Sequence, residues 1–243
     1  GAGKLTRIQE GFRAALKMVW LICLPLVALA SDGMDDRDAL RASLLASGMV
    51  APSDAPGSAP LVLDGGDRLY LHRYFDYERT LAQRLATMRA VRTVDTKSLL
   101  ALFNELFSSS DTNKPDWQKI AVAVALRQQL LIVSGGPGTG KTTTVASLLA
   151  CILHTDRDNR IMLAAPTGKA AARMLEAIRD RLGGLPPELR PLIPQQAQTI
   201  HRLLGMTADG TSVRYHADNP LPLDTLVIDE ASMLDLAMAA RLF

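Results

Sequence analysis

From Asp116 onward, short apolar runs alternate with stretches in which apolar residues recur every three or four positions. "LLIVS" (130–134), "IMLAA" (161–165) and "TLVID" (225–229) are apolar without alternation, the pattern of strands covered on both faces. After the first, Val145, Leu148, Leu149 and Ile152 share one helical face. After the second, Met174, Leu175, Ile178 and Leu182 share another, and Gly183-Gly184 supplies a stop. Strands alternating with helices predict an α/β fold with a parallel sheet and right-handed crossovers, all three strands pointing one way.

The first hundred residues have a different texture. A short helical pattern at Leu40 to Leu45 runs into "GMVAPSDAPGSAP" (48–60), whose Pro, Gly and Ser mark an exposed connection. "LVLDGGDRLYLHRYF" reads as a hairpin about Asp64-Gly65-Gly66-Asp67, where the glycines permit positive φ in a tight turn. Leu81, Leu85 and Met88 follow at helical spacing, as core positions of a small, mostly helical domain. "SSSDTNKPD" (108–116) marks the expected boundary, giving domains 1–110 and 111–243. There is no internal repeat and no catalytic constellation before residue 110.

Composition narrows the class. With 48% hydrophobic and 21% charged residues over 243 positions, the chain can bury real cores and is not a disordered tail. Its 27 Lys+Arg against 25 Asp+Glu give no general case for nucleic acid, so any such case must be local. Cys23 and Cys151 have neither metal-site nor scaffold spacing, which fits a reducing cytoplasm. The start is basic and is followed by the 13-residue apolar stretch 18–30 ending Ala28-Leu29-Ala30, close to an export signal. Against export stand the long leading segment, Glu10 within it and Pro25 within the stretch, so a cytoplasmic location is expected. The stretch also falls short of the roughly 20 apolar residues that span a bilayer.

The chemistry sits at the ends of the apolar runs. "GGPGTGKTTT" (135–144) matches G-x-x-x-x-G-K-[ST] at Gly135, Gly140, Lys141 and Thr142, between a predicted strand and a predicted helix. Glycines allow the backbone of Gly136, Pro137, Gly138, Thr139 and Gly140 to curl its N–H groups around phosphates. Lys141 would neutralise phosphate oxygens, Thr142 and Thr143 open the helix, and the Thr142 hydroxyl suits Mg²⁺. After the third run stand Asp229, placed to hold Mg²⁺ through water, and Glu230, placed to orient or deprotonate an attacking water. Thr167, Gly168 and Lys169, after the second run, read equally as a phosphate grip and as an ordinary capped helix start. Thr199, His201 and Arg202 precede a short helix, and a lone His is more often a structural hydrogen-bonder.

Taken in order, "GGPGTGKTTT", "LAAPTGKAAARM", "QTIHRLLG" and "VIDEASMLDL" resemble the RecD family, the alpha subunits of bacterial exodeoxyribonuclease V, which are superfamily-one DNA helicases. The likeness runs from about Asp116 to the end and reaches more weakly back through "GDRLYLHRYFDYERTLAQRL". It implies a RecA-like P-loop NTPase domain preceded by a partner-docking domain, and ATP with Mg²⁺ as cofactors. The implied activity is 5′ to 3′ DNA unwinding in double-strand-break repair and recombination, within a heterotrimer with RecB- and RecC-like subunits. It casts Thr167 to Lys169 and Thr199 to Arg202 as contacts to single-stranded DNA, and Gln118 in "DWQKIAVAVAL" as the reader of adenine. A Gln amide donates and accepts at once, which suits that base edge. Family members continue through a second motor domain, whereas this sequence stops 13 residues after Glu230, so the resemblance implies weak nucleotide binding and almost no hydrolysis by this piece alone. Two other functions stay open: a stand-alone RecD-like helicase or another P-loop motor, and a protein-docking module with an inert nucleotide site.

Overall fold

The computed structural model describes residues 37–88, 90–107, 115–136, 138–207, 210 and 212–243. The apolar stretch 18–30, most of the 108–116 stretch and Pro137 of the glycine-rich loop lie outside the described residues. By contacts the chain forms two compact units: residues up to Gln83 together with Asp235–Arg241 and Phe243, and Arg84–Leu234 together with Leu242.

In the first unit, α1 (Arg37–Ala46) leads to β1 (Val50–Pro52), β2 (Leu61–Leu63) and β3 (Leu69–Leu71), followed by α2 (His72–Thr87). β1 and β2 pair in parallel, and β2 and β3 form the expected antiparallel hairpin. Val62, Leu63 and Tyr70 are buried, and Tyr70 meets Phe75 of α2 edge-on, with ring centroids 5.6 Å apart. The hairpin turn corrects the sequence reading in one respect: the positive φ falls on Asp67 (60°) and on neither glycine. Aspartate tolerates this region better than most side chains. Arg41 fixes it there, donating to Asp67 Oδ1 at 2.7 Å and to the Asp64 carbonyl at 2.9 Å. The last short helix of the chain, α8 (Leu236–Leu242), is capped by Asp235, whose carboxylate accepts from the Met238 amide at 2.7 Å.

The second unit is α/β. It contains α3 (Thr96–Leu106), α4 (Trp117–Arg127), α5 (Lys141–Thr155), β4 (Ile161–Ala165), α6 (Gly168–Arg179), β5 (Ala197–Thr199), α7 (Ile200–Leu203) and β6 (Thr225–Ile228). The sheet runs β5-β4-β6 and is parallel throughout. Leu99, Leu102 and Phe107, on α3 and just after it, share one core with Val122, Leu149, Leu153, Leu163 and Ile178. Each such side chain contributes about 1.5–3 kcal/mol by leaving water.

Three expectations change. Residues 130–134 form no strand; Ile132 and Val133 are 56% and 41% exposed. A run of this kind gains as a strand only when layers cover both its faces, and here those faces meet solvent. The third parallel strand is instead "AQT", β5, whose polar Gln198 hid it from an apolar-run reading. Helix α5 turns more than the expected face inward: Thr144, Ala146, Ser147, Leu149, Ala150, Cys151 and Leu153 are buried, and Val145, Leu148 and Ile152 are partly covered. Finally, α6 stops at Arg179, and Leu182–Gly184 form a separate 3-10 turn.

Candidate phosphate loop and strand-end site

The glycine-rich loop is shaped by contacts among its own residues. Gly138 and Gly140 take φ of 75° and 81°, conformations that a side chain would strain. Thr139 Oγ1 donates to the Gly136 carbonyl at 2.9 Å. Lys141 reaches back across the loop, its Nζ donating to the carbonyls of Gly135 at 2.7 Å and Gly136 at 2.9 Å. An ammonium has three donors, so one is left to meet an anion. Gly140 caps α5 without any side chain, and the helical ladder begins with Thr144 N donating to Gly140 O at 3.0 Å. The amides of Lys141, Thr142 and Thr143 precede that ladder, where a helix end favours negative charge.

Helix α4 adds Gln118 to the loop. Asp116 caps α4, its carboxylate accepting from the amides of Gln118 and Lys119 at 3.0 Å each. Gln118 Nε2 donates to the Thr139 carbonyl at 3.4 Å. A Cβ placed on Gly140 would collide with that amide nitrogen and lie 3.1 Å from Gln118 Cδ. Asp116 was not among the candidate residues, although an Asp just before a helical run is a readable start signal.

The sheet gathers the remaining candidates. Because β4, β5 and β6 are parallel, with Ala165 opposite Thr199 and Ala164 opposite Ile228, their C-terminal ends lie along one edge. Thr167–Lys169, Thr199–Arg202 and Asp229–Glu230 all leave from that edge, and Asp229 N prolongs the ladder by donating to Ala164 O at 3.0 Å. Thr167 and Thr199 cap α6 and α7, accepting from Ala170 N at 3.2 Å and Arg202 N at 3.3 Å. Each hydroxyl still carries a proton to donate. Gly168, Lys169, His201 and Arg202 are exposed, and nothing lies within 4 Å of a Cβ built on Gly168. Asp229 Oδ1 accepts from the Glu230 amide at 3.0 Å, and Glu230 adopts the left-handed conformation (φ 51°, ψ 40°). The ladder therefore unites the candidates of the second and third apolar runs. Among the described residues no strand leads into the phosphate loop, which is carried between Gln118 of α4 and the head of α5.

At the opposite end of the sheet, Arg160 grips Asp224 with two parallel hydrogen bonds of 2.8 and 2.9 Å, and its amide adds a third at 3.0 Å. The Arg160 guanidinium holds the Asp224 carboxyl well below the usual range. Asp224 and Thr225 return their amides to the Arg160 carbonyl at 2.9 and 3.2 Å. This clamp ties the starts of β4 and β6 together, in keeping with the backbone register that puts Asp229 at the other end. It lies outside every motif, and an Arg–Asp pair 64 residues apart carries no local signal.

A family profile described as "AAA domain" matches residues 118–243. The RecBCD enzyme subunit RecD of Haemophilus influenzae is 40% identical over 198 residues, 76% of this chain and 30% of that protein. The subunit of the same name from Mycolicibacterium smegmatis is 41% identical over 215 residues, 85% of this chain and 36% of its own length. The ATP-dependent RecD2 DNA helicase of Deinococcus radiodurans is 28% identical over 199 residues, 80% of this chain and 24% of that protein. The chain thus spans about a third of the length of the RecD subunits that it matches.

Proposed function

We propose a function for a chain that belongs to the AAA domain family and groups there with the RecD subunits: it supplies the ATP-binding half-site of a DNA helicase subunit. The observation that carries this reading is the loop at 135–141, closed by Lys141 upon two of its own carbonyls at the head of α5. The loop fits a triphosphate, since two glycines take positive φ, helix amides stand ahead of their ladder and a lysine donor is to hand. When bound, ATP with Mg²⁺ supplies the phosphoryl group and the charge that neutralises it.

The chain's own residues divide the remaining work. Lys141 holds phosphate oxygens, Thr142 and Asp229 stand for the metal, and Gln118 meets the base edge. Glu230 orients a water and takes its proton. Thr167, Gly168, Lys169, Thr199 and His201 grip the backbone of single-stranded DNA, positioning it without reading sequence. The assembly is a heterotrimer with RecB- and RecC-like subunits that moves 5′ to 3′ on DNA during double-strand-break repair in the cytoplasm. Among the described residues no helix is long and apolar enough to cross a membrane.

Replacing Lys141 by Gln tests the reading. Its side chain is not buried, so the fold stays intact, while MgATP affinity falls roughly 10- to 100-fold, the range for losing a charge-assisted hydrogen bond. Equal MgATP binding by both chains in equilibrium dialysis overturns it. DNA-stimulated ATP hydrolysis by a polypeptide extended to the full length of the RecD subunits, measured with and without RecB- and RecC-like subunits, then separates a heterotrimer subunit from a stand-alone helicase.

A further inference from the structure

We propose that Gln118 is a positioning residue for the phosphate loop, fixing the Thr139–Gly140 peptide from α4 whether or not a base is present. The proposal rests on the phosphate-loop reading above and adds to it. Thr139 Oγ1 and Lys141 Nζ, the latter from the head of α5, both bond to residues 135–136, so they tie down the start of the loop and leave the Thr139–Gly140 peptide unheld. Gln118 anchors it from outside. Its backbone is pinned by the Asp116 cap, and its helix is fastened to the core through buried Val122. Its Nε2 donates to the Thr139 carbonyl, and its side chain occupies the space that any Cβ at Gly140 would need.

The absence of a side chain at Gly140 therefore serves two needs, the left-handed backbone and the seat for Gln118. A carboxamide nitrogen carries two protons, so one can hold Thr139 while the other, with Oε1, faces a base. Reading the base and bracing the loop are compatible roles of one side chain. They differ in what they predict for a ligand that has no base. A brace raises the share of chains whose loop is already competent, and that share scales the apparent affinity for any triphosphate.

The probe is inorganic tripolyphosphate with Mg²⁺, compared with MgATP and MgGTP, on the 243-residue chain carrying Gln118→Met or Gln118→Ala. Methionine keeps the length of the side chain and removes the donor. The brace predicts that both variants lose affinity for all three ligands, tripolyphosphate included, by about two- to ten-fold, as one net hydrogen bond supports, with any loss for ATP beyond that of tripolyphosphate measuring the reading of the base. It also predicts faster amide exchange at Gly138–Lys141 in the ligand-free variants, with an unchanged melting temperature. If tripolyphosphate binding is unaltered while ATP weakens relative to GTP, Gln118 reads the base alone and the proposal falls. If the wild-type chain binds none of the three, the phosphate-loop reading fails. The exchange result then decides the brace separately: faster exchange upholds it, and unchanged exchange overturns it.

Discussion

Glu230 sits in the left-handed region, at φ 51° and ψ 40°, directly after the strand that delivers Asp229. For a residue with a Cβ this conformation costs about 1–2 kcal/mol, and such strain gathers where the surrounding structure needs a side chain at one place. Glu230→Gly should therefore be more stable than Glu230→Ala by about 1 kcal/mol in urea unfolding, since only glycine escapes the penalty. Equal stabilities would mean that the backbone is relaxed there. Adjacent carboxylates after an apolar run were legible in the sequence. The backbone that carries them was not, because a left-handed glutamate follows from the turn after the strand and has no signature in residue type.

Among the elements, the β2–β3 hairpin depends on Asp64. Burial alone would raise its carboxyl, but the Arg68 guanidinium with the Arg68 and Gly66 amides outweighs burial and lowers it. A carboxylate lowered in the folded state stabilises above the ordinary aspartate value, and that stabilisation is lost as pH falls through the folded value. Asp64→Asn should melt earlier than the wild type at pH 7, with the gap narrowing below about pH 4. A gap that is constant across thermal melts from pH 7 to pH 3 would show that Asp64 acts only through its shape. The hairpin was readable because strand, turn and strand are local. The residue with positive φ was not, since Arg41, 26 positions away, holds Asp67 in it. β5 carries no local signal for a similar reason: "AQT" becomes a strand by lying beside β4, with Leu163 opposite Ala197. Conversely, "LLIVS" has the composition of a covered strand and lacks the cover.

At the scale of the whole molecule, Cys151 reports on the main core. It is fully buried, and burial pushes its thiol up to about 12. At pH 8 only about one such group in ten thousand is thiolate, against roughly a quarter for a free cysteine. Iodoacetamide should leave the Cys151 peptide unlabelled in the folded chain and modify it only as urea unfolds the second unit, as read by peptide mass mapping. Rapid labelling without denaturant would contradict the packing of α5. The fold class was legible at this scale, because alternating apolar runs and helical periods demand layers whichever runs pair. The order of the strands also governs how the chain emerges during synthesis. β4 leaves the ribosome first, yet Asp224, which clamps Arg160, follows 64 residues later. At 5–20 residues per second that gap lasts about 3 to 13 s. Throughout it the nascent sheet has at most one of the two neighbours of its middle strand, since β5 begins at Ala197 and β6 at Thr225, so this half of the protein can close no sooner than the ribosome passes Asp224.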